Sequence, residues 1–137
     1  MVKYKYSVLR YIVIRNIDHW RYFLTDKQPF LPLSEISFYI LLSLAPGAKH
    51  GYAILKDVEE LSRGTLRLST STLYDALERL LKQELIARVE EENAQANRRI
   101  RKSYHLNDLG RRVLAAEASR MQVLLEVATP RLKESMM

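Results

Sequence analysis

The chain has 137 residues, room for one core, and its 47% hydrophobic and 28% charged residues describe an ordinary globular domain rather than a disordered or membrane protein. It has no cysteine, which excludes disulfides, thiolate zinc sites and cysteine nucleophiles and leaves a cytoplasmic protein as the simplest expectation. The net charge of +6 favours a polyanionic partner, yet residues 1–30 hold six Lys/Arg against two Asp while 31–137 hold sixteen against fourteen acids, so any such case rests on local clusters.

The first 30 residues are read as a helical extension, because Leu9, Val13, Ile17, Trp20 and Leu24 recur at helical spacing. The apolar run Val8–Ile14 is interrupted by Arg10 and followed by Arg15, far short of the ~20 residues that cross a bilayer, and no small-residue cleavage site follows it. No membrane contact is expected. Three roles for this segment stay open: a helix packed on a dimer, a basic arm on a nucleic acid, or translation from an upstream start codon. The first is preferred.

Pro29 and Pro32 punctuate a junction, and a domain is expected over 31–106. Ser34 is a fitting N-cap for a helix carrying Ile36, Ile40, Leu41 and Leu44, stopped by Pro46 and Gly47. A second helix is predicted from Gly51 to Leu61, burying Leu55, Val58 and Leu61, with Gly64 ending it. Thr65–Leu68 reads as a short extended piece, counted as a short strand in the order of elements. Ser69, Thr70, Ser71 and Thr72 then put four hydroxyls at a helix start. The third helix buries Leu73, Leu77, Leu80 and Leu81 and turns out Ser71, Tyr74, Asp75, Glu78 and Lys82.

Leu85–Glu91 and Ile100–Leu106 read as two strands joined by the polar loop Glu92–Arg99. Asn107 caps a last helix from Asp108, and residues 107–137 are expected to form a dimerisation helix. Leu114, Ala118, Met121, Leu125 and Ala128 alternate spacings of four and three, a heptad seam that a second copy of the chain would cover. Pro130 is expected to kink or stop this helix near Ala128.

The fold class is therefore mainly α with a small β-hairpin: a winged helix-turn-helix plus a long C-terminal dimerisation helix. In that arrangement the third helix enters a DNA major groove and the hairpin lies on the flanking backbone. This gives a location to Arg98, Arg99, Arg101 and Lys102, cations that would otherwise pass as a solvated turn. Tyr74 is a candidate phosphate contact, with its ring against the wing. Thr70 and Ser71 begin the exposed face of the third helix and are candidate base contacts, whereas Ser69 is chiefly a cap. Lys49, just before the second helix, is a further candidate phosphate contact, and His50 is taken as structural.

His50-Gly51-Tyr52, Leu68-Ser69, Thr72-Leu73-Tyr74, Leu77, Arg79-Leu80 and Leu85-Ile86, followed by Arg101-Lys102, Tyr104, Leu106 and Gly110, resemble the PadR family of bacterial transcriptional regulators over roughly residues 31–128. The resemblance implies a homodimeric winged-helix repressor, joined through the last helix and released from its operator by small, often aromatic or drug-like molecules. Glu84 stands where the family usually has Gly, Asn97 sits in a wing tip that is often glycine-rich, and Ser103 replaces the first tyrosine of a usual pair. Met121 falls near a position where some members stack drugs on an aromatic residue, so the resemblance assigns no inducer site; Trp20, the one tryptophan, lies outside it.

An enzyme is not expected: His19, His50 and His105 lack metal-ligand spacing, and no phosphate loop or nucleophile motif occurs. No cofactor is expected either. The expected partners are a double-stranded, near-palindromic DNA operator, a second copy of the chain and a small-molecule inducer. The alternative is a winged-helix module used only for protein contacts, which would show no binding to random DNA at low salt.

Overall fold

The computed structural model describes residues 30–92 and 100–137. Ser34 is extended, and its hydroxyl accepts from Ser37 N at 3.1 Å, starting α1 (Glu35–Leu44). The order continues with β1 (Lys49–His50), α2 (Gly51–Leu61), α3 (Thr70–Lys82), β2 (Ile86–Glu92), β3 (Ile100–Leu106) and α4 (Asp108–Ser135). The strands form an antiparallel sheet in the order β1-β3-β2. Leu33–Leu114 forms one compact unit, and Ala115–Met137 belongs to a second.

In the first unit, Ile40, Leu41 and Leu44 of α1, Ile54 and Val58 of α2, Leu73, Leu77 and Leu80 of α3, and Leu85, Ile86, Tyr104, Leu106 and Val113 make the core. Each helix contributes a stripe at spacings of three and four, as amphipathic packing requires. Gly110, in the first turn of α4, crosses the Leu85 carbonyl so closely that a Cβ there would lie 2.0 Å from its oxygen. The same oxygen accepts from Asn107 N at 3.0 Å, and the Asn107 side-chain amide donates to Glu84 O at 3.0 Å. The end of α3 and the start of α4 are thereby locked together.

Glu84 itself has φ +59°, the left-handed conformation that glycine adopts more easily. Leu85 N reaches back to Leu80 O and Glu84 N to Leu81 O, so the last turn of α3 closes as a Schellman motif despite the glutamate.

Three expectations are corrected. The inward face of α2 is Gly51, Ile54 and Val58, not Leu55, Val58 and Leu61. The next inward slot falls on Ser62, whose buried hydroxyl donates to Glu59 O and accepts from Leu66 N, leaving Leu61 exposed. Thr65–Leu68 is not a strand, since its start is tied into that turn by Thr65 Oγ1 donating to Ser62 O at 2.7 Å. The third strand is instead Lys49–His50, paired with Tyr104 and Ser103.

The last helix does not stop near Ala128 but runs through Pro130 to Ser135. Proline deletes one bond, the one to Glu126 O, while Thr129 Oγ1 donates to Leu125 O at 2.7 Å beside the gap. Within the second unit Ala116, Glu117 and Ser119 are buried, Glu117 is ion-paired with Arg120, and the helix is largely exposed from Met121 onward. Among the described residues no helix is long and apolar enough to cross a membrane.

Candidate nucleic-acid interface

A reading element needs a rigid inner face and a polar outer one, and α3 has both. Leu73, Leu77 and Leu80 are buried, whereas Leu81, also expected inside, is only partly covered and the buried slot goes to Ala76. The start of α3 is set by the Ser69 hydroxyl, which accepts from Thr72 N at 3.2 Å. Ser69 Oγ also lies 2.8 Å from Thr72 Oγ1 and 3.2 Å from Ser71 Oγ, so these hydroxyls form a linked set. Thr70, Ser71, Tyr74, Asp75, Glu78 and Lys82 are exposed. Helix dipole and free amides make such an N-terminus attractive to phosphate.

Tyr74 leans its phenol over the first residue of α2: a Cβ on Gly51 would meet its hydroxyl oxygen at 2.9 Å. Gly51 is thus the point where α3 and α2 touch most closely, which accounts for a glycine at a helix start that lacks a side-chain cap. On the other side, His50 Nδ1 lies 3.3 Å from Lys102 O, fastening β1 to β3. The His50-Gly51 pair therefore holds the start of α2 against both the third helix and the hairpin.

Lys49 is committed to an ion pair, with Nζ 2.5 Å from Asp57 Oδ2. The Lys49 ammonium holds the Asp57 carboxyl below the usual carboxylate range. Both side chains are about three-quarters covered, so this pair fixes β1 on α2.

The hairpin root is more balanced in charge than the run of cations suggested. Lys102 is in register with Glu90, and Arg101 with Glu91, so the basic residues of β3 stand opposite acids of β2. Arg88 reaches Glu90 at 3.6 Å and Glu78 of α3 at 3.8 Å, tying hairpin to helix, though such half-exposed pairs stabilise little. Burial pushes the Tyr104 phenol, in register with Arg88, above its ordinary pKa. Lys102 is exposed, Arg101 is placed by its backbone on β3, and Arg98 and Arg99 lie outside the described residues.

Tyr52, seen in the sequence only as part of the family motif, and Lys56, which the sequence did not single out, lie on the outward face of α2. Tyr52 is 68% exposed next to Gly51, with Lys56 Nζ 5.0 Å from its ring centre. Their spacing of four, opposite Ile54 and Val58, was the available signal. Of the seam residues, Leu114 is buried in the chain's own core, Ala118 and Ala128 are partly covered, and Met121 and Leu125 are exposed. Among the described residues no group of three or more His, Asp or Glu is arranged to hold a metal ion.

The family model described as "Transcriptional regulator PadR-like family" matches residues 40–116, more than half of the chain. A search of curated proteins gives no match. Among crystal structures, a PadR family transcription regulator from Clostridium difficile is similar at 26% identity and TM-score 0.61, over 72% of this chain and 99% of that one. A PadR family regulator from Eggerthella lenta is similar at 26% identity and TM-score 0.56, over 72% and 84%. Bacillus subtilis PadR, solved in complex with operator DNA, is similar at 25% identity and TM-score 0.53, over 61% of this chain and 46% of that one. With its winged-helix elements and the family match spanning α1 to α4, the chain belongs to the PadR-like family of transcriptional regulators.

Proposed function

We propose that the chain is a ligand-responsive repressor of the cytoplasm that binds a near-palindromic DNA operator as a homodimer. In this reading residues 31–106 are the DNA-binding domain, 107–137 the dimerisation helix and 1–30 an accessory extension. The observation that carries it is the geometry of α3: Leu73, Leu77 and Leu80 are buried, its hydroxyl-rich N-terminus is exposed, and it lies against a hairpin. The similarity to Bacillus subtilis PadR, solved in complex with operator DNA, supports placing α3 in a major groove. Thr70 and Ser71 read base edges there, and Tyr74 contacts phosphate. Arg98, Arg99, Arg101 and Lys102 hold the flanking backbone. Lys49 keeps Asp57 and offers its remaining ammonium protons to a phosphate. Release by an aromatic or drug-like molecule rests on the family resemblance.

The test separates positioning from reading. Arg98 and Arg99 replaced together by Ala should weaken binding to all sequences alike and flatten the salt dependence by about 0.9 in log–log slope per lost phosphate contact. Thr70 and Ser71 replaced by Ala should instead change which sequence is selected, because base contacts specify and phosphate contacts position. An unchanged salt slope in the first protein removes the wing from the interface, and an unchanged selected motif in the second removes the two hydroxyls.

A further inference from the structure

At about 100° per residue round α3, the buried Leu73, Ala76, Leu77 and Leu80 centre on one line, and Ser71, Asp75, Glu78 and Lys82 lie within about 30° of the line opposite. This outermost stripe goes deepest into any groove the helix enters. Ser71 belongs to the linked hydroxyls at the helix start, and Glu78 reaches Arg88 of the hairpin at 3.8 Å. Lys82 sits in the last turn, about 10 Å beyond Asp75. Asp75 itself is uncommitted: among the described residues its exposed carboxylate makes no hydrogen bond or ion pair, although Arg79 follows at the spacing of four that would allow one. Tyr74 beside it is turned away, its hydroxyl over Gly51. A free carboxylate therefore stands in the middle of the reading face, one turn or about 6 Å after Ser71.

An anion on a surface that meets DNA weakens binding to every sequence unless it finds a donor in the groove. The bases differ in what they show on the major-groove side: G shows two acceptors, T an acceptor and a methyl group, A an acceptor beside its donor, and C only the N4 amino donor. A carboxylate only accepts, so it is repelled by G and T, half matched by A and matched by C. Resting on the placement of α3 in a major groove, we propose that Asp75 is a specificity-determining residue that accepts from the N4 amino group of one cytosine in each operator half-site. Thr70 and Ser71 carry hydroxyls that both donate and accept, so they tolerate several bases. Asp75 makes the sharper choice, by excluding G and T as much as by binding C.

The test is selection from random double-stranded DNA by the full-length parent, by Asp75→Ala and by Asp75→Asn. The position is exposed and its carboxylate supports nothing in the fold, so both variants should match the parent in circular dichroism. In Asp75→Ala one C position per half-site should relax, its discrimination falling roughly tenfold, while the other positions and the half-site spacing stay. In Asp75→Asn the same position should move from C to A, because an amide offers a donor and an acceptor to A N7 and N6. Both variants should hold random DNA at least as tightly as the parent, since a like charge has been removed. If Asp75→Ala selects the parental motif with every position unchanged, or the position that relaxes is not C, the proposal is overturned while the DNA-binding function stands. A parent that retains no DNA at low salt overturns that function and this inference together.

Discussion

A Leu125→Asp protein is expected to be a folded monomer that has lost most of its operator affinity. Leu125 is 60% exposed in the single chain, so a carboxylate there is solvated and the fold does not suffer. In the proposed dimer the same position lies in the seam, and each chain would bury an unpaired charge, weakening association by about 3–5 kcal/mol, or roughly 10²- to 10⁴-fold. A monomer keeps one reading helix and one wing and therefore retains weak, salt-sensitive binding without the second anchor. Light scattering and DNA titration of the same sample check both halves. A folded monomer that binds the full operator as tightly as the parent would separate DNA recognition from the seam.

Replacing Gly110 with Ala should be the most damaging single methyl group in the chain. The added carbon would sit 2.0 Å from the Leu85 carbonyl oxygen, and that oxygen belongs to backbone held by Asn107 N in a buried part of the core. Neither side has a flexible end to give way, so α4 must move off β2 and the bridge to Glu84 O goes with it. Overpacking by a methylene costs about 1–3 kcal/mol where side chains adjust. Here the backbone must adjust, and a loss above about 4 kcal/mol is expected, which lowers the melting temperature by roughly 15 °C or more. Gly47→Ala is the internal control, since a Cβ there meets nothing within 4 Å, and it should melt within a few degrees of the parent. Equal melting of the two variants would contradict the close approach of α4 to Leu85.

Features set by neighbours in sequence were legible, and features set by distant partners were not. Ser34 and Ser69 each bond an amide three residues on, so their capping follows from local sequence alone. Leu73, Leu77 and Leu80 of α3 and the hairpin also follow from periodicity, whereas Leu81 lies beside the buried stripe that Ala76 completes. Lys49–His50 could not be read as a strand: two polar residues have no alternation, and their partners, Tyr104 and Ser103, lie more than fifty residues away. The face of α2 was misassigned because Leu61 looks like a core residue, while the inward slot at its end belongs to Ser62 and its turn.

Within the interface, the outward residues of α3 were legible because they oppose its leucines. The roles of Gly51 under Tyr74 and of Asp57 beside Lys49 depend on tertiary contacts that no spacing announces. The cation cluster of the wing was visible as composition, but the acids opposite it became visible only through strand register.

The most direct measurement is selection of bound sequences by the unmodified protein from a pool of random double-stranded DNA at low salt. Two-fold symmetry places the two α3 helices about one turn of DNA apart, roughly 34–36 Å. The expected result is an enriched near-palindrome with half-site centres about 10 base pairs apart, bound more weakly as salt rises. A pool that shows no enrichment, together with no retention of any DNA at low salt, would contradict the account and leave the winged helix a protein-binding module.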